Sequence, residues 1–322
     1  MNQPHKSFRL FLCLLISAIS ACASGPAEKP LPDAITSPAY LLDQGVQHYR
    51  DNDYAKAIDA FEKSLLQYRS IDDRIGIAKS CLNLANTYMA INNNATASAY
   101  LMIANTVIEQ SSLTELDDYL RLLYSSLAIN NDLYAEAQRE LKLVLDSQHP
   151  GIQLAALQNR TIIAFARNDD DKTLWLDQYR TLQQAHAEIS ACHQARILRF
   201  EAELADDKSR KKDLLSESLV ISRKLADRPS IAATLMQSAE IDVTDENLTD
   251  AEDKYLRALF IRHQLGDVKN SLLILQQLQS IYTLTHNEKQ RQAAAWIAKL
   301  STNDLTGWQQ LFADFDTYPV SK

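Results

Sequence analysis

Glycine is scarce in this chain of 322 residues, with only six in all, and no two of them are closer than 20 positions. Glycine-rich phosphate loops and the GxSxG nucleophile elbow each need two glycines within a few residues, so these sites are excluded. Folds made of many β-turns also need frequent glycine or proline. Leucine and alanine, both strong helix formers, instead occur 46 and 40 times. The composition therefore predicts an all-helical protein.

Histidine and carboxylate patterns typical of catalytic or metal sites are also missing. His186 and His193 are seven positions apart, and the sequence contains no HxxxH, HExxH or CxxC pattern. Carboxylate pairs such as Asp169 and Asp171 fall in predicted turns, where helix capping explains them. We therefore predict no catalytic residue, no metal ion and no cofactor.

Cysteine is rare as well, with four residues in the whole chain. Cys81 and Cys192 lie 111 residues apart, each in an apolar stretch with helical spacing. A thiolate nucleophile would need a nearby base and an electropositive setting, and neither cysteine lies in a sequence pattern typical of such a site. We predict two buried thiols that act as small apolar side chains, although the sequence alone does not exclude a disulfide.

The first 21 residues have the pattern of an export signal. Lys6 and Arg9 precede an apolar run of ten residues, Leu10–Ile19. A membrane-spanning helix needs about 20 residues, so the run is too short to span but fits the hydrophobic region of a signal peptide.

Residues Ile19–Cys22 resemble the lipobox of bacterial lipoproteins. The resemblance implies that residues 1–21 are removed and that Cys22 carries the acyl chains, which together give stable membrane anchoring. Ala23 and Ser24 follow Cys22, and in Gram-negative lipoproteins the absence of an aspartate there favours the outer membrane, facing the periplasm. The alternative is an ordinary signal peptide whose cleavage site happens to contain a cysteine.

Residues 22–38 are predicted to be a proline-rich tether after the lipidated cysteine, because residues 23–38 contain four of the eight prolines. Removal of Lys6 and Arg9 with the signal leaves 31 basic and 41 acidic residues, a formal charge of −10. Such a chain is a poor electrostatic partner for nucleic acid or for an anionic lipid surface. We therefore expect membrane contact through the lipid anchor only, and no nucleic-acid partner.

From residue 39 onward, large and small apolar residues recur with a period of about 40. The first unit contains Leu41, Gly45, Tyr49, Tyr54, Ala57, Ile58, Phe61 and Leu65. The second contains Leu84, Ala85, Tyr88, Ala97, Leu101 and Ala104, and the sixth contains Leu235, Ala239, Ala251, Tyr255 and Ala258. The fourth and fifth units match least well.

These units resemble the tetratricopeptide repeat, and their length is similar to that of kinesin-light-chain-like and LGN-like arrays. The resemblance implies an all-α fold, a right-handed superhelical solenoid of about seven helix-turn-helix units over residues 39–300. Small residues such as Gly45 would let paired helices approach closely. Residues 301–322 do not repeat, and the spacing of Leu305, Trp308 and Phe312 predicts a short helix that caps the last apolar face. An aromatic binding stripe is the alternative there.

In tetratricopeptide arrays the first helix of each unit lines a concave groove. Carried over by register, the resemblance assigns the groove to Tyr49, Arg50, Lys79, Asn83, Asn86, Met89, Tyr119, Arg160, Arg196 and Phe200. These amide, apolar and cationic side chains suit a peptide, since amides bind its backbone and arginines bind acidic groups. The carboxylate clamp of chaperone-binding members is not reproduced, because Leu42, Val46 and Leu123 occupy three of its polar positions.

The sequence thus favours a lipid-anchored periplasmic adaptor that binds peptide segments of envelope proteins, in envelope assembly or peptidoglycan remodelling. One alternative is an accessory lipoprotein of a pilus, secretion or polysaccharide-export machine. Another is a glycan- or ligand-binding lipoprotein, which is disfavoured because Trp175, Trp296 and Trp308 fall outside the predicted groove. An enzyme is the least favoured interpretation.

Overall fold

The structure is a computed structural model that describes residues 37–187, 191–285 and 287–301. The predicted signal, Cys22, nearly all of the tether and the predicted cap lie outside these residues. The described chain forms fourteen α-helices and no strand. None of these helices combines the length and apolarity needed to cross a membrane.

The first seven helices are α1 Pro38–Arg50, α2 Tyr54–Ser70, α3 Arg74–Ala90, α4 Asn94–Ser111, α5 Asp117–Asn130, α6 Tyr134–Leu141 and α7 Pro150–Ala166. The second seven are α8 Lys172–Ala185, α9 Ala191–Leu204, α10 Lys208–Lys224, α11 Arg228–Thr244, α12 Leu248–Gln264, α13 Val268–Thr285 and α14 Asn287–Ser301. Helices adjacent in sequence pack against each other as seven consecutive pairs. The predicted all-α helical solenoid is confirmed.

Sharp turns between helices are made mostly by residues other than glycine. Left-handed backbone occurs at intervals of 20 residues, first at Asn52, Asp72, Asn92, Ser112 and Asp132, and again at Ala226, Glu246 and Gly266. Asparagine and aspartate tolerate this conformation better than most side chains. The next residue then often caps the following helix, as Asp73 does by accepting the Gly76 N–H at 2.9 Å. This explains how a glycine-poor chain reverses direction so often.

Two glycines are required for close helix packing. A Cβ atom on Gly45 would lie 2.4 Å from the Phe61 ring, which confirms the predicted close approach of α1 and α2. Gly76, which was not predicted, lies under the Tyr68 ring, and a Cβ there would be 2.1 Å from it. Gly151 has nothing within 4 Å of the corresponding position.

The apolar core is not uniform along the solenoid. We define an N-terminal segment (α1–α5), a central segment (α6–α10) and a C-terminal segment (α11–α14). One cluster of 21 buried residues runs through the N-terminal segment, and another of 15 fills the C-terminal segment. Three smaller clusters, of seven, six and four buried residues, connect them through the central segment. The regular packing is thus interrupted in the middle of the array.

Candidate functional site

Inter-helix turns far apart in sequence meet in the structure. The Asn52 side-chain amide donates a hydrogen bond to the Ala226 carbonyl oxygen at 3.2 Å, across 174 positions. The Asn92 side-chain amide donates to the Asp267 carboxylate, across 175 positions. The solenoid therefore curls until the turns of its first units touch those of its last units.

A third contact continues the same line. Lys269 Nζ donates to the Asn130 carbonyl oxygen at 3.1 Å and lies 3.6 Å from the Asp132 carboxylate. We call these contacts the seam, with Asn52, Asn92, Asn130 and Asp132 on one side and Ala226, Asp267 and Lys269 on the other.

Asp267 is the most heavily bonded residue of the seam. Its carboxylate accepts from Arg262 Nη1 at 3.0 Å, in addition to the bond from Asn92. It also caps α13, accepting from the backbone N–H and the side-chain amide of Asn270 at 3.1 and 2.7 Å. The Asp267 side chain is only 4% exposed. One buried carboxylate thus joins the seam, the end of α12 and the start of α13.

The inner side of the curled solenoid forms an open central cavity of about 790 Å³. Five consecutive first helices (α1, α3, α5, α7 and α9) form one wall, and the ends of α10, α11 and α12 form the other. The lining residues from the first wall include Tyr49, Arg50, Asn86, Met89, Ser126, Asn130, Gln158, Cys192 and Arg196. Those from the turns and the opposite wall include Asn52, Leu225, Asp227, Pro229, Arg262 and Leu265. The volume is in the range of ordinary ligand pockets.

Half of the predicted groove residues line this central cavity. They are Tyr49, Arg50, Asn86, Met89 and Arg196. Another predicted groove residue, Tyr119, does not line the cavity. It is half-buried between the N-terminal cluster and the first central cluster. Burial raises the pKa of Tyr119, and neighbouring Tyr49 raises it further. Its hydroxyl is neutral at physiological pH.

Three predicted groove residues lie elsewhere on the solenoid. Lys79 is exposed on α3, and Asn83 donates its side-chain amide to the Lys79 carbonyl oxygen at 2.9 Å. Phe200 packs against Phe165, with 4.7 Å between ring centroids. None of the three is among the residues that line the central cavity.

Arg160, also predicted for the groove, is held at the turn between α7 and α8. Its guanidinium lies 3.5 Å from the Asp169 carboxylate, 3.3 Å from the Asp171 carboxylate and 4.5 Å from the centroid of the Trp175 ring. Arg160 is not among the residues that line the central cavity, and its guanidinium covers one face of the indole.

Several cavity residues could not be assigned by repeat register. Asp227 and Pro229 lie at the start of α11, while Arg262 and Leu265 lie at the end of α12. They reach the cavity only because the solenoid closes on itself. The sequence does contain a related signal, since an aspartate lies directly before the first helix of a repeat unit at 227 and again at 267.

Polar side chains near Arg196 form a connected group. Arg196 Nη1 donates to Gln158 Oε1 at 2.8 Å, and Tyr179 donates to the same oxygen at 3.3 Å. The Tyr179 hydroxyl also contacts His193 Nδ1. Burial, followed by repulsion from Arg196, lowers the pKa of His193 to about 4. His193 is therefore neutral at pH 7 and adds no charge to this wall.

Both described cysteines are free thiols. Cys81 is fully buried as predicted, and burial raises its pKa to about 11. Cys192 is only half-buried and lines the central cavity, which differs from the predicted buried position. Among the described residues, no three His, Cys, Asp or Glu side chains are grouped so as to hold a metal ion.

Two solved structures have a similar fold. The apo form of RapI matches with a TM-score of 0.55 and 13% identity, over 80% of this chain and 95% of RapI. A Rap protein complexed with competence and sporulation factor matches with a TM-score of 0.61 and 12% identity, over 97% of this chain and 82% of that protein. At such low identity the likeness extends to the fold alone. No protein-family model matches the chain, and no curated protein sequence matches it.

Proposed function

We propose that this chain is a scaffold whose central cavity binds peptide segments of partner proteins. The observation that carries the proposal is the open cavity itself, which five consecutive first helices line together with the ends of α10–α12. Its lining combines amides, guanidinium groups and apolar side chains, the mixture that an extended or helical peptide requires.

A similar fold is known to hold a partner. One of the two Rap structures was solved in complex with competence and sporulation factor. That observation supports, for the present chain, a role in binding rather than in catalysis.

The proposed location is the inner leaflet of the outer membrane, with the solenoid in the periplasm. Support comes from the basic start, the short apolar run and the lipobox-like residues that end at Cys22. The partners would then be envelope proteins, and the process envelope assembly or peptidoglycan remodelling.

Partner capture from intact cells tests the cavity. In-cell crosslinking followed by purification should recover envelope proteins with the native chain and lose them with Asn86→Ala, which removes an amide from the cavity wall. Asn83→Ala is the matched control, because Asn83 is on the same helix and bonds only within it. Equal recovery by both variants, or no partner with the native chain, would contradict the proposal.

Membrane fractionation tests the anchor separately. Cys22→Ser should move the protein from the outer-membrane fraction to the soluble periplasmic fraction, whereas Cys81→Ser, at a buried thiol, should not. A Cys22→Ser protein that still sediments with the outer membrane would refute lipid anchoring.

A further inference from the structure

Two cationic side chains, those of Arg196 and Arg262, line the central cavity, and a third, that of Arg199, lies beside them. Arg196 and Arg199 lie three positions apart on α9, and thus on the same face, while Arg262 approaches from the end of α12. Arg199 Nη1 donates to the Ser230 carbonyl oxygen at 3.4 Å. No carboxylate of the described residues lies within ion-pair distance of Arg199, and its side chain is only half-buried.

Of the two nearby carboxylates, Asp267 is fully engaged and Asp227 is engaged in part. Asp267 accepts four hydrogen bonds, as described above. Asp227 caps α11 by accepting the Ser230 N–H at 3.1 Å through Oδ1. Its other oxygen, Oδ2, is buried without a hydrogen bond and lies 3.9 Å from Arg196 Nη2. That separation is too long for a charge-assisted hydrogen bond.

The result is a local positive excess in a negatively charged protein. Arg196, Arg199 and Arg262 face two carboxylates, and Arg50 adds a further exposed guanidinium to the cavity lining. The whole chain has a formal charge of −8. Burial, followed by repulsion from Arg196, lowers the pKa of Arg199 to about 10, so Arg199 remains charged at neutral pH.

We propose that the central cavity selects peptides that carry a carboxylate and that Arg196 and Arg199 bind this group. A carboxylate would relieve the repulsion between the guanidinium groups and could accept two parallel hydrogen bonds from an arginine. This inference rests on the proposed function of the cavity as a peptide site. The proposed carboxylate site lies on α9. It does not lie at the positions of the carboxylate clamp of chaperone-binding tetratricopeptide proteins, where this chain has apolar residues.

Peptide libraries of defined chemistry test the selection. The immobilised full chain is incubated with random octapeptides in four versions, with or without aspartate and glutamate, and with a free or an amidated C-terminus. Mass spectrometry then quantifies the captured peptides. We expect capture to fall about tenfold when both carboxylate sources are absent, as for loss of a charged hydrogen bond. The two libraries that retain one source distinguish a side-chain carboxylate from a C-terminal one.

Three variants test the residues. Arg199→Gln should lower capture of carboxylate peptides about tenfold, whereas Arg223→Gln, at an exposed position of α10, should leave capture unchanged. Asp227→Asn keeps a side-chain oxygen to cap α11 and removes one negative charge, so capture should increase. Circular dichroism and thermal unfolding confirm that each variant is folded.

The outcomes separate the two proposals. If the native chain captures no octapeptide from any library, the cavity is not a peptide site and the inference fails with it. If it captures peptides that have no carboxylate as well as those that do, and if Arg199→Gln changes nothing, the carboxylate selection is wrong while the peptide site stands.

Discussion

The N-terminal and central segments are built from similar helix pairs but are packed differently. In the N-terminal segment, 21 buried residues form one cluster, and Gly45 and Gly76 allow aromatic rings to lie directly on helix backbone. In the central segment the clusters are small, and the residues buried in this segment include polar ones such as Asn159. The comparison indicates that polar side chains are used where the apolar packing is least regular.

The spacing of the turns explains the difference. Left-handed residues are 20 positions apart from Asn52 to Asp132, so successive helices present equivalent faces to their neighbours. In the central segment α6 has only eight residues, and Asn168 is its one left-handed residue among those described. The facing residues no longer match, and polar pairs such as Tyr179–His193 fill the space next to the cavity. Binding sites are often formed where packing is least regular.

The seam adds a second difference. Asn52, Asn92 and Asn130 all belong to the N-terminal segment or its turns, and each contacts a residue between 226 and 269. The N-terminal segment is therefore held both by its own cluster and by the seam, whereas no seam residue lies between α6 and α10.

The largest effect is expected from Asp267→Ala, which removes one of the three contacts of the seam. The change leaves Arg262 buried without its carboxylate and removes the cap of α13, which together should cost about 3 kcal/mol of unfolding free energy. Urea unfolding measures the cost, and small-angle scattering should show a larger radius of gyration. Asp250→Ala, at an exposed position of α12, is the control. An unchanged radius would mean that the Asn92–Asp267 contact is not needed to hold the solenoid closed.

A smaller effect is expected from Gly76→Ala in the N-terminal segment. The added methyl group would overlap the Tyr68 ring, and the resulting shift should cost about 2 kcal/mol. Gly151→Ala is the matched change in the central segment, where the space is open, and it should be neutral or stabilise by about 0.5 kcal/mol. Urea unfolding of both variants measures the difference. Similar values for the two would contradict the proposed contrast in packing.

The sequence predicted those features that depend on neighbouring helices. The close helix approach at Gly45 follows from the repeat pattern, and Phe61, which the structure places against it, belongs to the same helix pair. Tyr49 and Asn86 were placed in the groove for the same reason, since the face of a first helix is defined by its own periodicity.

The seam and the second cavity wall were not predictable in this way. Asn52 meets Ala226 only because small rotations between successive helix pairs accumulate over 174 positions. The total rotation depends on all of the helix pairs between the two residues, so no local sequence pattern predicts it. Arg160 does not line the cavity for a local reason, because the carboxylates of the α7–α8 turn hold its guanidinium.

Asn159→Ala should have a moderate effect in the central segment. The Asn159 amide donates to Ser125 Oγ at 3.0 Å and to Ser126 Oγ at 2.9 Å, and it replaces apolar contact between α5 and α7. Loss of these bonds should cost about 1 kcal/mol, measured by urea unfolding. Asn83→Ala in the N-terminal segment loses a bond within its own helix only and should change stability less. A larger cost at Asn83 would show that polar packing is not specific to the central segment.

The smallest effect at neutral pH, and one that grows in acid, is expected from His193 in the central segment. Its pKa of about 4 lies below the ordinary value of 6.5, because burial and then Arg196 disfavour the charged ring. Between pH 6.5 and about 4 the unfolded chain binds a proton that the native chain does not, so the unfolding free energy must fall as the pH is lowered through this range. Tyr179, Cys192, Arg196 and Asp227 are the titratable or charged groups around it. Hydrogen exchange measured at pH 7 and pH 5 should show that α8 and α9 lose more amide protection in acid than α3 and α4 do. The variant His193→Asn should remove most of this difference between the two helix pairs. Equal loss of protection in both pairs of helices would mean that acid sensitivity is a property of the whole solenoid and does not arise from its polar centre.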